Sequence, residues 1–244
     1  MQVELIQHVG DDLLVANAAR VSFNKESDWD HETDNTKLYW QKLSERDTKL
    51  ISYLARHNHF TPFTHCVITL RETVPIFVAR QRFKHVVGFT YNEVSRRYVD
   101  DTPEFFVPDV WRSKPVNAKQ GSGVEEITHL EWAVDSETIE GYTREDVAYE
   151  PIHEMYKEYI DHCKWMYELM IENDVAPEQA RMVLPQSMYT SYYVTGSLMA
   201  FARAYKLRID PHAQKEIQDL AVMWKEKIEP LYPISWKALT DGVE

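Results

Sequence analysis

The sequence predicts an α/β (α+β) fold, a single domain in which helices surround a modest β-sheet. Three observations lead there. Short runs rich in β-branched residues alternate with longer segments of helical period. No internal repeat and no Gly/Ser linker divides the 244 residues, a length that suits one large domain. Only seven glycines argue against a turn-dense all-β scaffold, and two distant cysteines, Cys66 and Cys163, give neither a disulfide framework nor a metal spacing.

The elements follow in order. Gln2-Val3-Glu4-Leu5-Ile6 alternates polar and apolar residues and reads as a strand. Asp11 or Asp12 caps a short helix through Leu13, Leu14, Ala16 and Ala19. Residues 24–35 are polar and read as a loop. Leu38, Leu43, Leu50, Ile51 and Leu54 then share one face of a helix ending near His57-Asn58. Cys66 to Leu70 is β-branched and reads as a strand, and Pro75 sits where a helix carrying Phe77, Val78, Arg80, Gln81 and Phe83 begins. Gly88 marks a break before an extended run from Thr90 to Val99. Residues 112–147, acidic and holding three glycines, read as a variable surface insertion. Helical period returns from Tyr149 to Glu172. Pro177 opens a short helix that Pro185 stops, Met188 to Thr195 reads as a strand, and Leu198–Leu207 and His212–Ile228 as two further helices.

Charge narrows the function. The net charge of −12 counts against a nucleic-acid binder, whose affinity rests on neutralising phosphates. Within that acidic chain, Arg71 to Arg97 holds six basic residues against two acids, whereas Asp100 to Glu158 holds fifteen acids against five bases. A local basic cluster suits a small anionic ligand better than a polymer, unless its arginines simply pair with acids elsewhere in the fold. No basic and apolar leader and no membrane-length apolar run is visible, so a soluble cytoplasmic protein with no membrane partner is expected.

The chemistry-bearing residues concentrate in Ala79-Arg80-Gln81-Arg82-Phe83-Lys84-His85 and, closely following, Tyr91-Asn92-Glu93-Val94-Ser95-Arg96-Arg97-Tyr98. Arginine forks, a histidine, an acid and a hydroxyl together are the donors an anionic ligand needs. A solvated charged helix would have a similar composition. As motifs, however, these residues resemble the flavin-dependent thymidylate synthases. That family carries an Arg-His-Arg triplet, a spacer of about seven residues, then a serine within Asn-Glu-x-Ser-x-Arg-Tyr, and Asn92 to Tyr98 match every defined position of the second part. His57-Asn58-His59-Phe60-Thr61-Pro62-Phe63-Thr64-His65 is similar to the family's histidine-rich segment. Ala180-Arg181-Met182-Val183-Leu184-Pro185 and Leu207-Arg208 with Ala213-Gln214-Lys215-Glu216-Ile217 resemble its C-terminal half. The resemblance covers most of residues 1–228.

The departures are specific. The triplet reads Lys84-His85-Val86, the spacer is eight residues long, Thr64 replaces a glutamate, Ser197-Leu198-Met199 stands where Asn-x-Arg is frequent, and Arg203 where asparagine is common. These changes cluster on positions that hold FAD in the family.

The resemblance implies reductive methylation of dUMP to dTMP, with 5,10-methylenetetrahydrofolate as carbon donor, FAD as redox carrier and NADPH as reductant. It implies that Arg208 is the catalytic cation activating the uracil ring, against the plainer reading of a helix-end arginine paired with Asp210. It carries Gln81, Lys84, Glu93, Ser95, Arg97 and Arg181 to dUMP, Thr61, Lys84, His85 and Glu93 to FAD, and His59 to the folate or flavin side. Glu93 and Glu178 are expected to orient cations rather than act as bases. A homotetramer with shared active sites is implied as well. No metal is expected, because no acid lies between His57, His59 and His65. Neither cysteine lies in a nucleophile motif, so both read as buried structural residues. The alternatives are a related flavin-dependent pyrimidine-nucleotide enzyme on the same scaffold, and a non-catalytic nucleotide-binding or assembly protein.

Overall fold

The computed structural model describes residues 1–33, 39–99, 101–116, 121–133 and 147–241. In chain order the first elements are β1 (Gln2–Val9), α1 (Asp12–Arg20), β2 (Asp30–Thr33), β3 (Tyr39–Lys42), α2 (Glu45–Arg56), α3 (Thr61–Thr64), β4 (Val67–Pro75), α4 (Ile76–Arg82) and β5 (Phe89–Glu93). There follow β6 (His129–Ala133), β7 (Val147–Pro151), α5 (Ile152–Glu172), α6 (Pro177–Ala180), β8 (Tyr189–Ser197), α7 (Leu198–Arg208), α8 (Lys215–Ile228) and α9 (Pro233–Thr240). Helices and sheet are mixed, as the α/β expectation requires. The described residues fall into two compact units, the first comprising 1–74, 78–93 and 190–244, the second 75–77 and 94–189.

The first unit is built on a four-stranded sheet of order β1-β4-β8-β5, in which β1 pairs antiparallel with β4 and β5 with β8. Strand alternation decides what is buried. Along β4, Ile68, Leu70, Glu72 and Val74 are buried, and along β8, Thr190, Tyr192 and Val194. Glu72 therefore occupies a core register, where an acid is stable only with a partner. Helix α8 presents Ile217, Leu220, Ala221, Trp224 and Ile228 at helical spacing as its buried face, and packs on β1 and α7. Helix α9 packs on α2 and α7. Its N-terminus is closed by the Asp12 carboxylate, which accepts from the main-chain nitrogens of Ile234 and Ser235, both at 2.9 Å.

The cap expected at Asp11 or Asp12 is formed by Asp11, and a second, at Ser44, has no counterpart in the sequence reading. Asp11 accepts from the main-chain nitrogen of Leu14, and Ser44 from that of Asp47. Asp47 is buried against Arg20, whose Nε donates to it at 2.6 Å. Burial works to raise the Asp47 carboxyl, but the Ser44 hydroxyl and the Arg20 guanidinium more than offset this, and its pKa lies below the ordinary value.

Several expected boundaries are corrected. Residues 24–35 are not all loop, because Asp30–Thr33 pairs antiparallel with Tyr39–Lys42. The helix expected from Leu38 begins at Glu45 behind its Ser44 cap, and Leu38 lies outside the described residues. The extended run from Thr90 ends at Glu93, residues 149–151 complete β7 before α5 begins, and the helix expected from His212 begins at Lys215. Helix α9 has no counterpart in the sequence reading.

In the second unit β6 and β7 pair antiparallel. Helix α5 buries Ile160, Cys163 and Tyr167, and Tyr156 meets Trp111 edge-on at 4.8 Å. Main-chain bonds tie residues 76–77 to Gln186 and Met188, and Glu104 and Phe106 to Tyr189 and Ser187. Within the segment 112–147, Arg112 bridges Glu126 and β6 is ordered, while 117–120 and 134–146 lie outside the described residues.

Candidate active site

In the first unit the site grows from the end of α4. Gln81 donates from Nε2 to Gln214 Oε1 at 2.5 Å, and Gln214 donates to Glu216 Oε2 at 2.8 Å. Arg82, the next residue, is completely buried. Its Nε faces the Glu72 carboxylate at 3.2 and 3.3 Å, and its Nη1 donates to the Tyr91 hydroxyl at 2.6 Å. Burying a cation costs several kcal/mol unless charge and hydrogen bonds compensate. Glu72 supplies the charge, held in turn by the Tyr192 hydroxyl at 2.6 Å, and rings surround the guanidinium, Phe89 at 4.3 Å and Trp224 at 4.6 Å. Phe89 reaches that position because Gly196 on β8 has no side chain: a Cβ there would lie 2.4 Å from the ring.

Beyond Arg82 the chain turns through Lys84-His85-Val86 to Gly88, whose φ of +79° favours glycine, and enters β5. Lys84 and Val86 are exposed, whereas His85 is half-buried. The Tyr91 hydroxyl donates to the His85 carbonyl oxygen at 2.7 Å. The imidazole meets the last residue of α7, with Arg208 Nε donating to His85 Nε2 at 2.8 Å. Burial, reinforced by the charges of Arg208, Arg82 and Arg203, holds the His85 pKa down to about 4. His85 is therefore a neutral acceptor at Nε2, with its proton on Nδ1. Burial and Arg82 also lower the Arg208 pKa, though a guanidinium stays protonated at any working pH. The pairing of Arg208 with Asp210 is not formed. Asp210 accepts instead from the main chain and ring of His212.

Of the residues the resemblance carries to the flavin or folate side, only Thr61 and His59 lie at α3; Lys84 and His85 follow α4 and Glu93 ends β5. Thr61 and His59 are exposed and flank Phe60. Phe60 lines a cavity of about 350 Å³ with Leu54, Phe63 and Leu239, and with the cations Arg203 and Lys206 of α7. Apolar walls beside two cations are the donor set that a planar ring with attached phosphates requires. His57 and His59 join Tyr53 in an aromatic group, with Tyr53 and His57 centroids 4.3 Å apart, while His65 lines a different cavity with Leu14 and Asn17. The three motif histidines do not converge.

Ser95, Arg97 and Arg181, which the resemblance carries to dUMP, belong to the second unit. Ser95 Oγ accepts from Arg97 Nε at 3.3 Å, and Arg181 is exposed. Of the acids expected to orient cations, Glu93, in the first unit, accepts from the Thr190 hydroxyl at 2.7 Å, and Glu178 meets Arg181 through its main-chain oxygen. Cys66 is fully buried, and burial, with Asp11 and Asp12 nearby, pushes its thiol up to about 12. Cys163 is also buried, so both stand as the structural residues expected.

Comparison with known proteins decides the family. The model of the family described as thymidylate synthase complementing protein matches residues 4–234. A flavin-dependent thymidylate synthase of Thermosipho melanesiensis is 37% identical over 92% of this chain and 86% of its own length. The chain belongs to the flavin-dependent thymidylate synthases. Another member, from Thermus thermophilus, is 31% identical over 98% of this chain and 75% of its own length. Among solved structures, a UMP/dUMP methylase, PolB from Streptomyces cacaoi, bound with 5-Br dUMP, superposes with a TM-score of 0.71 at 26% identity, covering 98% of this chain and 94% of that one. The protein is thus an enzyme of this family, and the non-catalytic alternative falls away.

Sequence reasoning gave no role to Glu72 or Tyr192, and named Arg82 and Tyr91 only as members of the two chemistry-bearing runs. The signal was present in strand register. Glu72 follows Ile68 and Leu70 at period two, an acid in an apolar face that demands a buried cation nearby.

Proposed function

We propose that this enzyme methylates dUMP reductively to dTMP, taking its carbon from 5,10-methylenetetrahydrofolate and its electrons from NADPH through FAD. The observation that carries the reading is the Arg208–His85 contact, which joins the variant triplet to the C-terminal motif across 123 residues. The chemical problem is to make C5 of uracil nucleophilic. A fixed cation beside N3 and its neighbouring carbonyls favours the enolate-like ring. Arg208 supplies that cation and, remaining protonated, stabilises the anion without serving as a general acid. Its Nε is occupied by His85, and among the described residues neither Nη makes a hydrogen bond, which leaves the two as a fork. His85, neutral and accepting, adds no second positive charge. FAD, when bound, supplies the electron transfer between NADPH and the carbon being delivered. Thr61, Lys84, His85 and Glu93 are the residues assigned to it, with His59 toward the folate. Phe60, between His59 and Thr61, lines the apolar and cationic cavity at α3 and α7, which supports a flavin beside those two residues; Lys84, His85 and Glu93 rest on the match to the family motif alone. Gln81, Lys84, Glu93, Ser95, Arg97 and Arg181 are assigned to the dUMP phosphate and sugar by their match to the family motif. A single-domain subunit in a homotetramer with shared sites, working in the cytoplasm, completes the reading.

The test is dTMP formation from dUMP, folate donor, FAD and NADPH. Arg208→Ala is expected to leave a folded, flavin-binding protein with turnover below a few per cent of the parent, about two orders of magnitude down. Substantial turnover in that variant removes Arg208 from the role. Arg208→Lys restores activity only in part, because an ammonium cannot reproduce the planar fork.

A second reading concerns the substrate. The Streptomyces cacaoi protein is described as acting on both UMP and dUMP, and the present chain departs from its own family at Val86 and Ser197. UMP is therefore the competitor to assay beside dUMP, and comparable kcat/KM for the two would move the enzyme to a broader pyrimidine-nucleotide methylase.

A further inference from the structure

We infer that Tyr91 is a positioning residue for the reaction: its hydroxyl ties the main chain of His85 to the buried Glu72–Arg82 pair, so that His85 holds Arg208 by Nε. The inference rests on the reading of Arg208 as the ring-activating cation.

The path is continuous in hydrogen bonds. Glu72 faces Arg82 Nε at 3.2 Å, Arg82 Nη1 donates to the Tyr91 hydroxyl at 2.6 Å, that hydroxyl donates to the His85 carbonyl oxygen at 2.7 Å, and His85 Nε2 accepts from Arg208 at 2.8 Å. One end is anchored firmly. Glu72 and Arg82 are both completely buried, on β4 and at the end of α4, and Phe89 and Trp224 enclose the guanidinium. The other end is the half-exposed turn carrying His85, between Lys84 and Val86, both open to solvent. The main chain holds the turn to the end of α4, His85 N donating to Arg82 O at 3.1 Å, and the Tyr91 hydroxyl adds a side-chain link from the His85 carbonyl to the buried guanidinium. A second feature fits the same role. Arg82 Nη2 has no partner among the described residues, an unsatisfied buried donor that costs stability. Its retention beside Tyr91 is what a residue placed for orientation rather than for maximum stability shows.

The arrangement also explains why His85 must stay neutral. The charged groups that face it, Arg208 and Arg203 on α7 and Arg82 on α4, are all cations. Protonated at Nε2, it could no longer accept from Arg208 and would repel all three. Tyr91 keeps it in the half-buried position where protonation is disfavoured.

Tyr91→Phe tests this in the flavin-loaded full chain, because the ring contacts to Phe83 and Phe89 survive while the hydroxyl does not. Loss of a hydrogen bond to a charged partner predicts a fall in kcat of roughly tenfold or more, with KM for dUMP changed less than about threefold. The His85 imidazole, followed by NMR in histidine-labelled protein, is expected to shift its inflection from about 4 toward the ordinary 6.5. Asp47→Asn is the control: it weakens the buried pair with Arg20, which touches neither Arg82 nor His85, so it lowers Tm while leaving kcat and the His85 inflection in place. Parental kcat in Tyr91→Phe, or an unmoved His85 inflection, overturns the proposal. An inflection near 6.5 in the unaltered protein overturns it without any variant. Arg208→Ala, run alongside, separates the two levels. If it is active the functional reading itself fails, whereas an inactive Arg208→Ala beside a fully active Tyr91→Phe removes only the role of Tyr91.

Discussion

Two thiols and one guanidinium carry opposite burdens in this chain. A cysteine nucleophile needs a thiolate, and burial drives Cys66 the other way, with its pKa pushed up to about 12. Its Sγ lies 3.5 Å from the Asp11 carbonyl oxygen, a weak contact that further marks it as a packed side chain. The double variant Cys66→Ala, Cys163→Ala is accordingly expected to retain more than half of parental kcat in the dTMP assay. It will lose stability by about 1–3 kcal/mol for the cavities left in the core, read as a lower urea midpoint. A folded double variant without turnover would show that a thiolate takes part after all. In the proposed mechanism Arg208, by contrast, serves because it cannot lose its proton, and its neighbour His85 because it does not gain one. The distinction was half legible from the sequence. The arginine matched a family motif by position, but the neutrality of His85 depends first on burial and then on three cations from α4 and α7, which only folding assembles.

Elements were legible where their period is local. The β-branched run at β4, the Pro75 start of α4 and the amphipathic face of α8 are each written in consecutive residues. Helix α9 is not. Its eight residues are too few to be helical alone, and its N-terminus is closed by Asp12, more than two hundred residues earlier. The β2–β3 pairing was hidden by polar composition, because strand register there is not announced by an apolar face. Likewise α7 read plainly as a helix, yet nothing local showed that Arg203 and Lys206, one turn apart, face a cavity shared with α2, α3 and α9. That cavity bears on the altered triplet. Val86 offers no charge to a phosphate, and Arg203, a cation where the family commonly has asparagine, is the candidate to replace it under the proposed flavin assignment. Arg203→Asn is therefore expected to weaken FAD binding by about tenfold, the low end for a charge-assisted bond because Arg203 is exposed. Fluorescence titration of the apoprotein reads this directly. An unchanged Kd would take Arg203 off the flavin side.

At the scale of the whole molecule, the decisive quantity is charge distribution. A chain of net charge −12 repels anions from a distance, yet its proposed substrate is a nucleotide, so attraction must come from the six basic residues between Arg71 and Arg97 and from Arg181 and Arg208. Part of that cluster is spent internally. Arg82 is neutralised by Glu72 and Arg96 pairs with Asp101, which leaves Lys84 and Arg97 among the exposed cations of the stretch. Exposed charges act through solvent and are screened over about 10 Å at 0.1 M salt and about 3 Å at 1 M. KM for dUMP is thus expected to rise several-fold, on the order of three- to tenfold, between low salt and 0.5 M sodium chloride, with kcat nearly constant. Deoxyuridine, which keeps the base and sugar but lacks the phosphate, supplies the internal control: its inhibition constant should hardly move over the same range. A long polyanion meets the acidic body as well as the cluster, so single-stranded DNA is expected to show no retention at 0.1 M salt in a filter-binding assay. A salt-independent KM for dUMP would mean that the phosphate is held by dipoles and neutral donors such as Ser95 and Gln81. The exposed cations would then have to be reassigned.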